Sequence, residues 1–339
     1  MTALRTVLVG AGKIGLGYGA DPVMAKHYPY ATHAQVLRDH PAFALGAVVD
    51  RSDEALRLAR EDYAVAITSN RVEDCIAWAP EVAVLATPPS ERLGFVAALP
   101  SLRAVLVEKP LGRDEKEAQR FLDECTAKGI LVQVNLWRRA DRVFRELAHD
   151  LERRIGRVQG GFALYGNGLH NNGTHVVDFL RMLLGEIVSV QATGPAGPAH
   201  GPIPGDVHVP FVLRFASGVI VQASPLDFRE YRENGIDLWG TEGRLTILQE
   251  GLTIAVAPRR ENRAMSGERE IASDAADLLA PSVGRAFYEM YDDLARALRE
   301  GTPLCSPATS AMRSTAIVDA IERSANEGGR SVECSAPAR

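Results

Sequence analysis

The sequence predicts an α/β domain with a doubly wound parallel sheet, followed by an α+β domain built on a large, open, mainly antiparallel sheet. Three observations carry this. Short apolar runs alternate with helix-compatible stretches through the first 135 or so residues. The first run leads straight into Gly10-Ala11-Gly12. Beyond Asn135, β-type runs follow one another with few helices between them, the pattern of an antiparallel sheet. At 339 residues the chain exceeds what one hydrophobic core organises, so two domains are expected, 1–135 and 136–339.

Residues 4–9 are mostly apolar and β-favouring, and a second such run, 43–49, ends at Asp50. Ser52 then caps a helix carrying Ala55, Leu56, Leu58 and Ala59. Further strands are expected at 82–86, 104–107 and 130–134, with the clearest helix at 114–128. In the second half a helix at 142–154 precedes strands at 157–165, 186–192, 207–215, 219–223, 236–239 and 245–248. A helix spans 174–184, and the helical stripe of Phe287, Tyr291, Leu294 and Leu298 reads as core packing. Residues 194–205 and 257–273 are expected to be loops, the first rich in Gly and Pro, the second polar.

With 46% hydrophobic and 24% charged residues the composition is that of a globular chain. A formal charge of −5 leaves no electrostatic footprint for nucleic acid, and no basic run suggests a membrane surface. Small-molecule chemistry is the default. Cys75, Cys125, Cys305 and Cys334 are widely spaced with no CxxC pair, which points neither to a metal site nor to a disulfide framework. A reduced, cytoplasmic setting is expected, and no leader or membrane-spanning run is visible.

Gly10-Ala11-Gly12-Lys13-Ile14-Gly15 fits GxGxxG where a first strand should meet a helix. Gly10 permits the tight turn, and Gly12 lets the backbone approach a pyrophosphate lying on the helix N-terminus. Asp50 closes the second run, where its carboxylate can accept hydrogen bonds from ribose hydroxyls. Asp50 disfavours a 2′-phosphate by charge and so favours NAD(H), although Arg51 beside it leaves NADP(H) open. The stretch from Gly15 to Asp50 is longer than the usual spacing. Gly17, Gly19, Asp21-Pro22 and Tyr28-Pro29-Tyr30 mark an excursion, which lies either near the cofactor or substrate mouth or on the plain surface.

Hydride transfer from an alcohol requires a base near the carbinol oxygen. Glu108-Lys109-Pro110 follows an apolar run, where an open parallel sheet aims residues at its ligand crevice. Asn171 and His175 lie four apart at a helix start, on one face if the first turn is helical, and the helix dipole there disfavours imidazolium. Against these stand a surface lysine and a structural histidine. Asp178 is expected to anchor its helix. Arg138, Arg139 and Arg142 follow the last strand of the first domain, and their forks could clamp a phosphate or carboxylate or simply face solvent; Arg142 is assigned to solvent and Arg139 is left open.

Taken in order, GAGKIG, Asp50, Ala86-Thr87-Pro88-Pro89, Glu108-Lys109-Pro110, Ile155-Gly156-Arg157-Val158, His175-Val176-Val177-Asp178, Leu183-Leu184-Gly185 and Trp239-Gly240-Thr241-Glu242-Gly243 resemble the Gfo/Idh/MocA family of sugar and cyclitol oxidoreductases over nearly the whole chain. The resemblance implies a Rossmann domain and an α+β domain whose open sheet supports a homodimer or homotetramer. It implies cofactor contacts from Gly10, Gly12, Lys13, Ile14, Gly15, Asp50, Arg51, Thr87, Pro88, Glu108 and Lys109. It implies that Lys109 orients the reacting hydroxyl and His175 acts as acid/base, with Asn171, Arg139 and Tyr165 toward a sugar-like substrate. Many members carry Asp where this chain has Asn171; an amide can hold a hydroxyl but cannot take its proton, so that burden falls on His175, with Lys109 as the alternative. The expected activity is hydride transfer at a secondary alcohol or ketone carbon. The alternatives are a glycosidase-like lyase that uses NAD transiently and a silent cofactor-binding protein.

Overall fold

The computed structural model describes residues 2–334. Its N-terminal strands are β1 Leu4–Val9, β2 Phe43–Val49, β3 Ile67–Ser69, β4 Val82–Leu85, β5 Ala104–Val107 and β6 Leu131–Val134. They form one parallel sheet in the order β3-β2-β1-β4-β5-β6. Every residue of β4 and β5 is fully buried, as a parallel sheet covered on both faces demands. β3 was not foreseen; at three half-buried residues on the sheet edge it is too short to show a period.

The helices between these strands are α1 His33–Asp39, α2 Asp53–Tyr63, α3 Pro89–Ala98 and α4 Glu115–Ala127. Their starts are written in the sequence. Thr32 and Gln35 form a capping box, Ser52 accepts from the Ala55 amide, Asp114 accepts from the Glu117 amide, and α3 opens on proline. Each such side-chain cap contributes about 1 kcal/mol.

The glycine motif does not run directly into a regular helix. One turn, closed by the Leu16 amide on the Gly12 carbonyl at 2.9 Å, is followed by short 3-10 turns at Gly17–Ala20 and Met24–Lys26. The chain then returns so that the amides of His33 and Ala34 bond the carbonyls of Ile14 and Gly15 at 3.0 and 3.1 Å. The excursion is thus looped out of a helix that resumes in register. That explains the long spacing from Gly15 to Asp50.

The first compact unit comprises the chain through Arg142 together with Gly284–Met312, whereas the sequence reading ended the first domain at residue 135. The added segment contains α7 Ala286–Glu300. Its apolar stripe, Phe287, Met290, Tyr291 and Leu294, belongs to the same buried cluster as Leu8, Val36, Phe43 and Val48. The stripe is core, as expected, but of the N-terminal sheet. Tyr30 in the excursion packs on Tyr288, with ring centres 4.9 Å apart.

The second unit comprises Val143–Val283 and the chain from Arg313 on. It draws on helices α5 Arg142–Ile155, α6 Thr174–Leu184 and α8 Ala308–Asn326. Its strands are β7 Val158–Tyr165, β8 Ile187–Ala192, β9 Gly197–Pro198, β10 Val207–His208, β11 Phe211–Phe215, β12 Ile220–Pro225, β13 Gly235–Gly240, β14 Gly243–Leu248, β15 Thr253–Glu261, β16 Arg269–Ile271, β17 Asp277–Leu279 and β18 Val332–Glu333. The large sheet runs β16-β15-β14-β13-β7-β12-β11-β8-β18, with β17 beside β15. All its pairs are antiparallel except β7 with β12.

The segment 194–205 is not all loop, because β9 within it pairs with β10. The run 207–215 is two strands, because Pro210 has no amide to give a ladder. Residues 257–273 are not all loop: β15 and β16 pair there, with the Arg260 guanidinium on Glu270 at 2.7 Å. A solvated ribbon of this kind is held by cross-strand hydrogen bonds and ion pairs, so apolar periodicity does not reveal it. Among the described residues no helix is long and apolar enough to cross a membrane.

Candidate active site

Three loops at the carboxyl ends of β1, β2 and β4 enclose a cleft of about 330 Å³ lined by Gly10, Gly12, Asp50, Arg51, Thr87 and Pro88. Ligands of doubly wound sheets sit at this end. Gly10 has φ +93°, and a Cβ there would lie 2.5 Å from the Ala86 carbonyl oxygen. A Cβ on Gly15 would lie 2.4 Å from the Gly10 carbonyl oxygen. Gly10 brings the turn against the end of β4, and Gly15 lets the turn close on itself. Gly12 differs: a Cβ there would meet nothing within 4 Å, so its backbone faces open space. Lys13 is exposed on the turn, and Ile14 packs into the core cluster.

The Asp50 carboxylate is fixed by two amides, accepting from Ala11 at 2.6 Å and from Ser52 at 2.8 Å. Arg51 extends into solvent and pairs with Glu91 at 2.9 Å. Thr87 Oγ1 is buried without a hydrogen-bond partner. An orphaned hydroxyl, a backbone open at Gly12 and a carboxylate held at the rim fit a dinucleotide. Asn70, Glu91 and Phe95 also line the cleft and were not singled out in the sequence. Asn70 follows β3, so missing that strand hid it.

Glu108 and Lys109 follow β5. The Glu108 carboxylate turns inward, where Oε1 accepts from Asn135 Nδ2 at 2.6 Å and lies 3.0 Å from His33 Nε2. Burial pushes this carboxyl up, but the hydrogen bond and charge of His33, Asn135 and the Lys109 ammonium together pull it below its ordinary value. The side chain expected at the cofactor is therefore engaged within the first unit. Arg92 is buried in α3 and donates to the carbonyls of Thr87 and Pro110, joining two of the loops. Burial lowers its guanidinium to about 10, against the opposing charges of Glu108 and Glu117. An arginine three residues into a proline-started helix gave no sequence signal.

Of the arginine group, Arg138 is buried with its guanidinium over the Trp137 ring at 4.2 Å, Arg139 is half-buried, and Arg142 is exposed.

In the second unit, Leu169–Gly173 is a π turn leading into α6. Asn171 lies in the turn and His175 in the first turn of α6, both half-buried. The four-residue step thus passes through the wider π geometry, a feature common at functional sites. Asp206, buried at the end of the 194–205 loop, accepts from the amides of His170 and Asn171, each at 3.0 Å. A carboxylate at this start offsets the positive end of the helix, a term the dipole argument for His175 lacked. Asp178 anchors its helix as expected, accepting from Ser314 Oγ at 2.8 Å with Arg181 at 3.7 Å. Tyr165 is fully buried, and its hydroxyl donates to the Val209 carbonyl at 2.7 Å and accepts from the Val209 amide at 3.0 Å. That places it in the core, and its assignment toward substrate is withdrawn.

Residues 4–136 match the oxidoreductase family NAD-binding Rossmann fold, and residues 136–246 match the GFO/IDH/MocA C-terminal domain. No curated protein matches the chain. Similar solved structures include an oxidoreductase from Agrobacterium radiobacter in complex with NAD+, L-tartaric acid and magnesium, at 18% identity over 98% of this chain and 99% of that one, TM-score 0.73. The WlbA dehydrogenase from Bordetella pertussis, in complex with NADH and UDP-GlcNAcA, is 19% identical over 99% and 100%, TM-score 0.72. An oxidoreductase domain protein from Kribbella flavida is 19% identical over 99% and 100%, TM-score 0.75. At these identities the likeness is one of fold, whereas the two domain matches are consecutive and cover most of the sequence. The chain is a member of the GFO/IDH/MocA family, an NAD(P)-binding dehydrogenase or reductase.

Proposed function

We propose that this enzyme moves hydride between NAD(H) and a secondary alcohol or ketone carbon of a sugar, sugar phosphate, sugar derivative or cyclitol. The observation that carries the reading is the glycine-walled cleft with Asp50 fixed at its rim and the Glu108-Lys109-Pro110 segment at the end of a neighbouring strand. Nicotinamide supplies the hydride acceptor or donor. Gly10, Gly12 and Gly15 would form the pyrophosphate turn, Asp50 would accept from ribose hydroxyls, and Thr87 and Pro88 would flank the dinucleotide. A 2′-phosphate would meet two carboxylates, Asp50 and Glu91, and an Arg51 already paired with Glu91, which supports NAD over NADP.

Lys109 is assigned to holding the reacting hydroxyl by its ammonium, and His175 to taking or returning the proton. Asn171 and Arg139 are assigned to the substrate's other polar groups. UDP-GlcNAcA and L-tartaric acid, held by two proteins of this fold, are both polyhydroxylated anions and fit such a site.

Val188, Ile220 and Trp239 are 39%, 41% and 37% exposed on strands of the second sheet. They support association of copies through that sheet as a homodimer or homotetramer, and a cytoplasmic setting is proposed with it.

The test is a panel of sugars, sugar phosphates and cyclitols with NAD+ and NADP+, read at the reduced-nicotinamide absorbance. Substrate-dependent NADH formation that Lys109→Met abolishes while NADH still binds supports the proposal. Full turnover in that variant, or release of a leaving group with no net NADH, would overturn it.

A further inference from the structure

The cleft at the carboxyl ends of β1, β2 and β4 is lined by the charged side chains of Asp50, Arg51 and Glu91. Asp50 is committed, because its two oxygens take the amides of Ala11 and Ser52. Among the described residues that line the cleft, Arg51 is the one cation. Its Nη2 lies 2.9 Å from Glu91 Oε1, so the pair joins the loop after β2 to the first turn of α3. The two partners are held very differently. The Arg51 side chain is 84% exposed and can swing toward a counter-charge, whereas that of Glu91 is 30% exposed. Glu91 also sits on a turn whose next residue, Arg92, is buried and bonded to the Thr87 carbonyl. The positive end of α3 favours its carboxylate. Glu91 is therefore the fixed member of the pair, and it sets where the guanidinium goes.

We propose that Glu91 is a specificity-determining residue that keeps this enzyme on NAD(H) by holding Arg51 away from the place of a 2′-phosphate. This rests on the reading of the cleft as the dinucleotide site, and it names the residue that decides which dinucleotide enters. A phosphate monoester carries about −1.5 to −2 charges at neutral pH and binds where a guanidinium can meet it. With Arg51 engaged, that phosphate faces the carboxylates of Asp50 and Glu91 without a counter-charge. With Glu91 neutral, the arginine that follows Asp50 is released to pair with it. The choice of cofactor thus depends on an ion pair across the cleft and not on the acid at the end of β2 alone.

Fluorescence titration of the protein with NADH and with NADPH reads the ratio of their dissociation constants without substrate or turnover. Glu91→Gln keeps the length of the side chain and removes its charge, and the ratio Kd(NADPH)/Kd(NADH) should fall about fivefold or more. Glu91→Ala, which has no acceptor for the guanidinium, should give at least as large a fall. Both gains should shrink as salt rises from about 0.05 to about 0.5 M. Arg51→Gln in the wild-type background should leave the ratio within about twofold, because the guanidinium is already taken. Added to Glu91→Gln, it should cancel most of the gain. An unchanged ratio in both Glu91 variants would overturn the proposal. So would an equal fall with and without Arg51, which would make Glu91 a repelling charge and nothing more. Wild-type protein that binds neither cofactor would refute the dinucleotide reading and this inference with it, whereas tight NADH binding with an unchanged ratio overturns this inference alone.

Discussion

Arg92 Nη1 donates to the Pro110 carbonyl at 2.6 Å, from a side chain that is 1% exposed. The same guanidinium holds the Thr87 carbonyl through Nη2 at 2.8 Å and Nε at 3.1 Å. One buried cation therefore sets the distance between the loop that flanks the cleft and the loop that carries Lys109. Arg92→Met keeps bulk but removes the donor to three carbonyls, those of Thr87, Pro110 and Leu111. It should cost about 2–4 kcal/mol of stability, seen in urea unfolding, and weaken NADH binding. Arg92→Lys should recover part of both; a Met variant as stable as wild type would show the clamp to be idle.

Gly10 and Gly12 should respond in opposite ways to the same methyl group. Gly10→Ala forces an alanine to φ +93° and against the Ala86 carbonyl, and should lower stability by about 2 kcal/mol or more. Gly12→Ala meets no protein atom, so its melting temperature should stay within about 2 °C of wild type while NADH affinity falls about tenfold or more. Thermal melts paired with fluorescence titration of NADH check both. Normal NADH affinity in Gly12→Ala would mean the turn does not hold a pyrophosphate.

Asp50→Asn keeps the outline of the side chain, removes its charge and leaves either the Ala11 or the Ser52 amide without an acceptor. Loss of a charged acceptor for ribose hydroxyls should weaken NADH about tenfold, or about 1.4 kcal/mol. NADPH affinity should hold or improve, because one of two carboxylates facing its 2′-phosphate is gone. Equal losses for both cofactors would contradict the role given to Asp50.

Glu186 links buried Arg181, at 2.8 Å, with Arg313. Burial raises its carboxyl, but Arg181 and then Arg313 outweigh burial and hold it below the ordinary 4.5. A carboxyl depressed by folding contributes stability that is present above pH 4.5 and is lost as pH falls through the folded value. Glu186→Gln should therefore melt lower than wild type at pH 7, with the gap closing as the pH drops toward 3. A gap that stays constant with pH would assign the loss to packing rather than charge.

Much of the fold and part of the candidate site are legible in the residues in order. Buried parallel strands such as β4 and β5 are continuous apolar runs, the helix starts carry their own caps, and Gly10, Gly12 and Asp50 advertise a cofactor through local geometry. Where local pattern is weak the elements are hidden: β3 is too short to show a period, and the β15–β16 ribbon pairs mostly charged residues. Tyr165 looked like a site residue because nothing local shows that the Val209 backbone takes its hydroxyl.

The sequence by itself determined the parallel sheet, the turn that fits a dinucleotide and the family, because each depends on residues near one another in the chain or on their order. Only the tertiary structure decided that α7 completes the N-terminal core, that Arg92 bridges two loops, that Asp206 caps the start of the Asn171 turn, and that His33 draws Glu108 inward between α1 and α7. Those contacts join residues that are far apart in sequence and are fixed by which buried polar atoms must find partners, a requirement that periodicity and motif spacing do not encode.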